Sequence, residues 1–142
     1  MTNKCLYIPK ERIDETLAQS PQTGKRLLEP LKSFSAEHAA PFNILEDCQV
    51  SNDAEIHQHE SDLWYCIEGE VRFVCGGQMV DPWFKQLPDG TEDRREIKAK
   101  TIEGGEEILL HAGDWLWIPA GEAHQHFCAD TARLAIIKIP KV

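Results

Sequence analysis

The stretch IHQHESDLWYCIEGE, residues 56–70, sets two histidines one residue apart and ends in a Glu-Gly-Glu turn. Side chains at positions i and i+2 of a strand point to the same face, so His57 and His59 are predicted to present two imidazoles to one point. Asp62 follows three residues after His59, and His124 lies 65 residues beyond His59. Imidazole is the commonest protein metal ligand near neutral pH. Two or three imidazoles plus one carboxylate would suit Fe, Mn, Ni, Cu or Zn.

A second stretch, GDWLWIPAGEAH at residues 113–124, leads into the third histidine. Pro119 fixes the backbone shortly before His124, and Gly121 lies where a chain reversal with positive φ is expected. Short strand-like runs broken by glycines extend from residue 56 to residue 139. Many short strands at regular spacing are typical of an all-β sandwich or barrel.

Together the two stretches resemble the paired motifs of the cupin superfamily. The first motif, Gly-x5-His-x-His-x3-4-Glu-x6-Gly, corresponds to Ser51, His57, His59, Asp62 and Gly69. The second, Gly-x5-Pro-x-Gly-x2-His-x3-Asn, corresponds to Gly113, Pro119, Gly121, His124 and Cys128. The resemblance covers about residues 40–139. It implies an all-β cupin barrel (a double-stranded β-helix, or jelly roll) with a short helical segment at its N-terminus.

A single domain, residues 1–142, is expected from the length of the chain. Residues 1–40 are predicted to form a helical or irregular extension, and residues 41–142 the barrel. The segment 81–98 contains two prolines and a run of charges, so it is interpreted as a loop inserted between strands. The Glu-Gly-Glu sequence around Gly69 predicts a hairpin turn.

The carboxylate that completes the metal site is open at this point. Asp62 stands where the family usually has Glu, on a shorter spacing from His59. Glu60 is the competing carboxylate, but strand alternation points it away from His59, so Asp62 is favoured. His126 shares the face of His124. It is a candidate for a general base or a supporting hydrogen-bond partner, with a histidine bonded to backbone as the equally weighted alternative.

The resemblance implies a mononuclear divalent metal in the barrel and an enzyme acting on a small molecule. A dioxygenase is the first expectation, and isomerases and lyases are further members of the same class. Two alternatives stay open: a non-catalytic cupin that binds or senses a small metabolite, and a metal-free cupin that resembles sugar epimerases. A homodimer is also expected, with the segment before residue 45 as its contact.

The formal net charge of −9 argues against a nucleic-acid-binding surface and against association with an anionic membrane. No apolar run approaches the roughly 20 residues of a membrane span, and the N-terminus lacks an apolar segment of signal-peptide length. A cytoplasmic protein is therefore expected. The five cysteines lack CxxC spacing, so neither a disulfide framework nor a thiolate zinc site is indicated.

Overall fold

One curled sheet makes up most of the molecule in a computed structural model that describes residues 4–142. The elements in chain order are α1 Lys10–Leu17, β1 Gly24–Leu27, α2 Leu31–Glu37, β2 Phe42–Ser51, β3 Ala54–His57, β4 Glu60–Glu68, β5 Glu70–Cys75, β6 Gln78–Met79, β7 Trp83–Gln86, β8 Glu92–Ala99, β9 Ile102–Glu103, β10 Glu106–His111, β11 Trp115–Ile118 and β12 His124–Pro140. Ten strands share the curled sheet, and β6 pairs separately with β9. The predicted all-β barrel with a short helical N-terminal segment is confirmed.

Strand β12 joins the two halves of the barrel. Its first residues pair with β3 and β5, and its later residues pair with β4. Strand β2 runs antiparallel beside most of its length. A register shift between Cys128 and Thr131 interrupts this pairing, as a β-bulge does where a strand bends. The bend lets one strand contribute side chains to both walls of the barrel.

The chain bends rather than reverses at Gly69, so the predicted hairpin is wrong there. Strands β4 and β5 each pair with β12 instead of with each other. Gly69 has φ +76°, and a Cβ built on it would lie 2.1 Å from the carbonyl oxygen of Thr131 on β12. Glycine is required here because the bent path lies directly against the backbone of β12.

Gly69→Ala is expected to destabilise the fold by about 2–3 kcal/mol, because it adds both positive-φ strain and a clash with rigid backbone. Gly90→Ala is the matched control. Gly90 also has positive φ, at +86°, but a Cβ there would meet nothing within 4 Å. It should cost about 1 kcal/mol, from the backbone term alone. Urea denaturation of both variants measures the difference, and equal losses would contradict a contact-based role for Gly69.

Two hydrophobic clusters stabilise the fold. The larger one fills the barrel between the two walls; its largest fully buried side chain is Phe73, and Trp64 and Leu134 pack with it. The smaller one joins the helices to the outside of the sheet around Leu28 and Ile44. Burying each such side chain stabilises the folded state by about 1.5–3 kcal/mol.

The N-terminal extension is tied to the barrel by strand pairing and by a buried charge network. Within the extension predicted to be helical or irregular, residues 24–27 form strand β1, which pairs with β2. Glu46, fully buried on β2, accepts hydrogen bonds from Arg26 and Arg133 at 2.9 Å each. Arg133 also donates to the backbone carbonyls of Leu17 and Gln19, at and beyond the end of α1. Residues 1–3 of the predicted extension lie outside the described part of the chain.

The segment 81–98 is a β-hairpin, which corrects its interpretation as an inserted loop. Strand β7 pairs with β8, and the last four residues of β8 pair with the full length of β3. The loop was predicted from prolines and charges, but Pro82 and Pro88 lie just outside the two strands. The hairpin widens the sheet beside β3, and Lys85, Glu96 and Lys98 line a cleft beside the barrel core.

The outer face of β4 is apolar, as alternation along the strand predicts. Leu63, Tyr65 and Ile67 line an external groove, and Trp115 packs against Tyr65 with ring centroids 4.5 Å apart. Ile13 of α1 reaches the same groove. The predicted homodimer stays a prediction. No helix between residues 4 and 142 is both long enough and apolar enough to cross a bilayer.

Candidate metal centre

Three strands bring a cluster of imidazoles and carboxylates together at one end of the barrel. Glu55 and His57 lie on β3 at alternate positions and therefore share a face. His124 begins β12, where its Cα is the cross-strand partner of Glu55. Asp62 comes from β4, across the barrel opening. The candidate donors are thus fixed by the rigid sheet rather than by loops.

The donor atoms face one another at distances a metal ion could bridge. Glu55, His57 and His124 each offer one ligand atom, and these three atoms lie within 4.8 Å of one another. Asp62 Oδ2 lies 3.6 Å from His57 Nε2 and 3.6 Å from His124 Nε2. The two imidazole ring centroids are 5.3 Å apart. Ligand atoms bound about 2.1 Å from one ion lie at similar separations from one another.

His124 is prepared as a neutral ligand. It is 1 % exposed, and burial lowers its pKa to about 4 although Asp62 pulls in the opposite direction. Its Nδ1–H donates to the carbonyl of Glu122 at 3.2 Å, which leaves the lone pair on Nε2. Nε2 of His124 and Oδ2 of Asp62 are buried and have no hydrogen-bond partner among the described residues. Buried polar atoms without partners are costly, and a cation between them would remove that cost.

Glu55 belongs to the cluster and was missed from the sequence. Its Oε2 lies 3.4 Å from His57 Nε2 and 3.9 Å from His124 Nε2. Burial works against ionisation, but the hydrogen bond from His57 and the charges of Lys25 and Lys98 hold the pKa of Glu55 far below its usual range. Strand alternation could have identified Glu55, but the prediction used that rule only for the residues after His57. Applied backward, the same rule places Glu55 beside it.

His59 is not brought to the cluster. Strand β3 ends at His57, and residues 58 and 59 form a bend in which the His59 side chain is exposed. It lines a polar depression that includes Arg95 and borders the cluster at His57. The predicted convergence of His57 and His59 assumed that the strand continued for two more residues. Because it does not, the alternation rule fails at this position.

Asp62 rather than Glu60 is the carboxylate near the histidines on β4. Asp62 is 1 % exposed and also accepts a hydrogen bond from Lys138 Nζ at 2.7 Å. Glu60 is partly exposed, and its nearest basic partner is the same lysine at 3.9 Å. Burial and orientation therefore favour Asp62 over Glu60, the choice that the sequence left open.

His126 lies two residues beyond His124 on β12, among aromatic residues of the core. It is buried, its Nδ1 is hydrogen-bonded to Asp47, and Asn52 Nδ2 lies 3.0 Å from the same nitrogen. Its ring stacks on Phe73 at 5.2 Å between centroids and contacts Trp64 at 5.5 Å. A histidine paired with a buried carboxylate and packed among aromatic rings is held in one orientation. This geometry fits a supporting role in the barrel wall, and it leaves the predicted catalytic role as a prediction.

A cleft of about 510 Å³ opens onto the cluster. Glu55, His57 and Asp62 line one end of it. Its floor is apolar, formed by Leu27, Leu45, Trp64 and Ile136. The remaining wall carries five basic and two acidic side chains. A cavity of this size with convergent polar groups suits a small organic ligand.

The cysteines do not add a nucleophile to this site. Cys66 and Cys128 are buried, and burial raises the pKa of both thiols, that of Cys66 to about 11. Cys75 behaves in the same way, with its pKa raised to about 11. Thiols with raised pKa values are poor nucleophiles at neutral pH, so these three are small core residues.

Solved structures with the same architecture include three that cover most of this chain. Oxalate oxidase with the substrate analogue glycolate shares 15 % identity over 88 % of this chain and 57 % of its own, at a TM-score of 0.53. The FeII HppE structure shares 14 % identity over 96 % and 60 %, at 0.51. Peruvianin-I, a cysteine peptidase from Thevetia peruviana latex, shares 17 % identity over 98 % and 78 %, at 0.52.

These likenesses concern the fold. The chain spans little more than half the length of several structures that it matches, for example 55 % of the Clostridium difficile EutQ protein and 57 % of the oxalate oxidase chain. No protein-family model matches the sequence, and no curated protein matches it significantly. The architecture is therefore assigned from three-dimensional similarity, and chemistry has to be argued from the side chains.

Proposed function

We propose that this chain, which has the cupin fold, is a metal-dependent enzyme that acts on a small molecule. Its centre is a divalent ion held by His57, His124 and one or both of the carboxylates of Asp62 and Glu55. Among the possible reactions, oxidation by O₂ in the manner of a dioxygenase is the one this donor set favours. An isomerase or lyase reaction at the same centre is the second candidate.

One observation carries the proposal. His124 Nε2 and Asp62 Oδ2 are both buried, lack hydrogen-bond partners among residues 4–142, and lie 3.6 Å apart beside a second imidazole. Core histidines and carboxylates are normally satisfied by protein groups. Here the unsatisfied atoms converge, and a divalent cation is the ligand that satisfies an imidazole lone pair and a carboxylate together.

The donor set supports oxygen chemistry. Two histidines and one carboxylate, with other coordination positions open, are the ligand type that non-haem Fe(II) oxygenases use. A divalent metal at this position would supply Lewis acidity, or oxygen activation if it were iron. His59, the third histidine expected from the sequence, is exposed outside the cluster. The donor set is therefore two imidazoles and a carboxylate, which catalytic zinc sites use as well as Fe(II) oxygenases.

The surrounding groups position the candidate metal ligands and place a proton donor beside them. The sheet holds His57 and His124 in place, and the Glu122 carbonyl orients the second ring. Trp64 and Ile136 give the cleft an apolar surface beside the donor atoms. Lys138, which contacts both Asp62 and His57 Nε2, supplies a proton donor next to the donor atoms.

The direct test is reconstitution followed by measurement of turnover. We expect apoprotein loaded anaerobically with Fe(II) to bind about one equivalent and to consume O₂ with one or more members of a panel of small organic substrates. Matched samples with Zn²⁺ control for oxidation that does not require a redox metal. Product formation in the absence of O₂ would favour the isomerase or lyase reaction instead. Failure of any divalent metal to bind would overturn the proposal.

A further inference from the structure

Basic side chains are concentrated in the cleft although the chain as a whole carries a net charge of −9. Five basic residues line it, against four acidic ones. They are Lys25, Arg26, Lys85, Lys98 and Lys138. They come from the N-terminal strand β1, the hairpin β7–β8 and the end of β12. Segments far apart in sequence thus place positive charge around one opening.

Most of these ammonium groups are held by the carboxylates of the candidate metal centre. Lys25 Nζ and Lys98 Nζ lie 3.3 Å and 3.1 Å from the same Glu55 oxygen. Lys138 Nζ lies 2.7 Å from Asp62 Oδ1. If a divalent ion also binds Glu55 and Asp62, their negative charge is shared with that ion. The positive charge of the ammonium groups is then no longer fully neutralised by these carboxylates. A bound anion at the mouth of the cleft would neutralise it.

A buried donor points to the same kind of ligand. Trp64 is 3 % exposed and lines the floor of the cleft, and its indole N–H has no acceptor among the described residues. A buried indole N–H normally finds an acceptor. A carboxylate oxygen bound in the cleft would provide one. The neighbouring side chains of Leu45 and Ile136 offer apolar contact to a short carbon chain.

We infer that the cleft binds a small organic anion, a carboxylic acid with a short carbon chain, through the lysines and Trp64, and that metal binding strengthens this interaction. The inference rests on the proposed function, because the divalent ion is what releases the lysines from Glu55 and Asp62. It narrows the substrate class of that function from any small molecule to an organic acid.

Calorimetric titration with malonate and with malonamide, its neutral analogue of similar shape, tests the inference. Zn²⁺ serves as the probe metal because it has no redox chemistry. We expect malonate to bind the Zn²⁺-loaded protein at least about tenfold more tightly than the metal-free protein, and malonate to raise Zn²⁺ affinity by the same factor. Malonamide should bind at least about tenfold more weakly than malonate. Inorganic phosphate should also bind more weakly, since it cannot use the apolar floor.

Two kinds of variant locate the binding site. Lys25→Met and Lys98→Met each remove one ammonium group while the other still pairs with Glu55, so both should retain Zn²⁺ and lose malonate affinity by about tenfold. Trp64→Phe keeps an aromatic ring but removes the N–H donor, and it should weaken malonate binding in the same direction. Lys10→Met is the control, because Lys10 is an exposed residue of α1 that pairs with Asp14. It should change neither affinity.

The outcomes separate the two claims. If Zn²⁺ does not bind, the metal centre of the proposed function fails. If Zn²⁺ binds but malonamide binds as tightly as malonate, or the lysine variants bind malonate like the wild type, the present inference is overturned while the metal centre stands. Phosphate binding as tight as malonate binding would overturn the assignment to an organic acid.

Discussion

His124→Ala is expected to lower the affinity for a divalent metal by more than about 100-fold, since loss of a supporting group alone typically costs 10–100-fold. The substitution removes a neutral, buried imidazole whose Nε2 lies 3.6 Å from Asp62 and whose ring stands 5.3 Å from that of His57. Metal content after dialysis against a weak chelator, measured by elemental analysis, gives the result directly. His57→Ala should have an effect of the same size.

His59→Ala is the matched control for His57→Ala, because it removes the same type of side chain two residues further along the chain. His59 is exposed and lies outside the cluster, so this variant should retain wild-type metal content. The comparison distinguishes the observed centre from the one the His-x-His pattern predicts. Loss of metal in His59→Ala equal to the loss in His124→Ala would contradict the centre built on Glu55, His57, Asp62 and His124.

Glu46→Gln is expected to reduce the free energy of unfolding by about 3–5 kcal/mol, which corresponds to a drop in Tm of roughly 10–17 °C. Glu46 is fully buried and is the common acceptor for Arg26 and Arg133. Removing its charge leaves the buried Arg133 guanidinium without its main counterion. The matched control is Glu107→Gln, which breaks an exposed ion pair with Arg72 and should cost less than about 1 kcal/mol.

The effect of Glu46→Gln depends on pH in a defined direction. Burial opposes ionisation of Glu46, but the Gln22 backbone N–H and the two arginines outweigh it and hold its pKa below the ordinary value of 4.5. The stabilisation is therefore complete above about pH 5 and is lost as the pH falls through the lower folded-state pKa. Urea denaturation at pH 7 and pH 3 should show a smaller difference between wild type and variant at pH 3. A constant difference would contradict the assignment of the stabilisation to the charged form.

The architecture was predictable from sequence because its signals are local and repeated. Short strands separated by glycines, together with two spaced motifs, indicate a barrel before any contact is known. The path of the chain at Gly69 was not predictable in the same way. A Glu-Gly-Glu sequence is compatible with both a hairpin and a bent strand. Which of the two forms is determined by β12, which pairs with both β4 and β5.

The candidate site was also predictable from the sequence only in part. His57, Asp62 and His124 lie within their motifs, and the structure brings them together. Glu55 lies outside the motif and is recognisable only once the limits of β3 are known. The exclusion of His59 depends on the same limits, since two additional strand residues would have placed it beside His57. Where a strand ends is decided by tertiary contacts, so the ligand set could be predicted only in part.

The pairing of β12 has a consequence for the order in which the protein is made. Strands β2, β3, β4 and β5 all leave the ribosome before β12, yet each needs β12 as a hydrogen-bonded neighbour. Contacts of such high sequence separation slow folding and leave strand edges unprotected meanwhile. Glu55, His57 and Asp62 are therefore synthesised before His124, the last residue of the proposed metal centre. One of the two imidazoles of that centre is missing until β12 has been made and has paired with its neighbours.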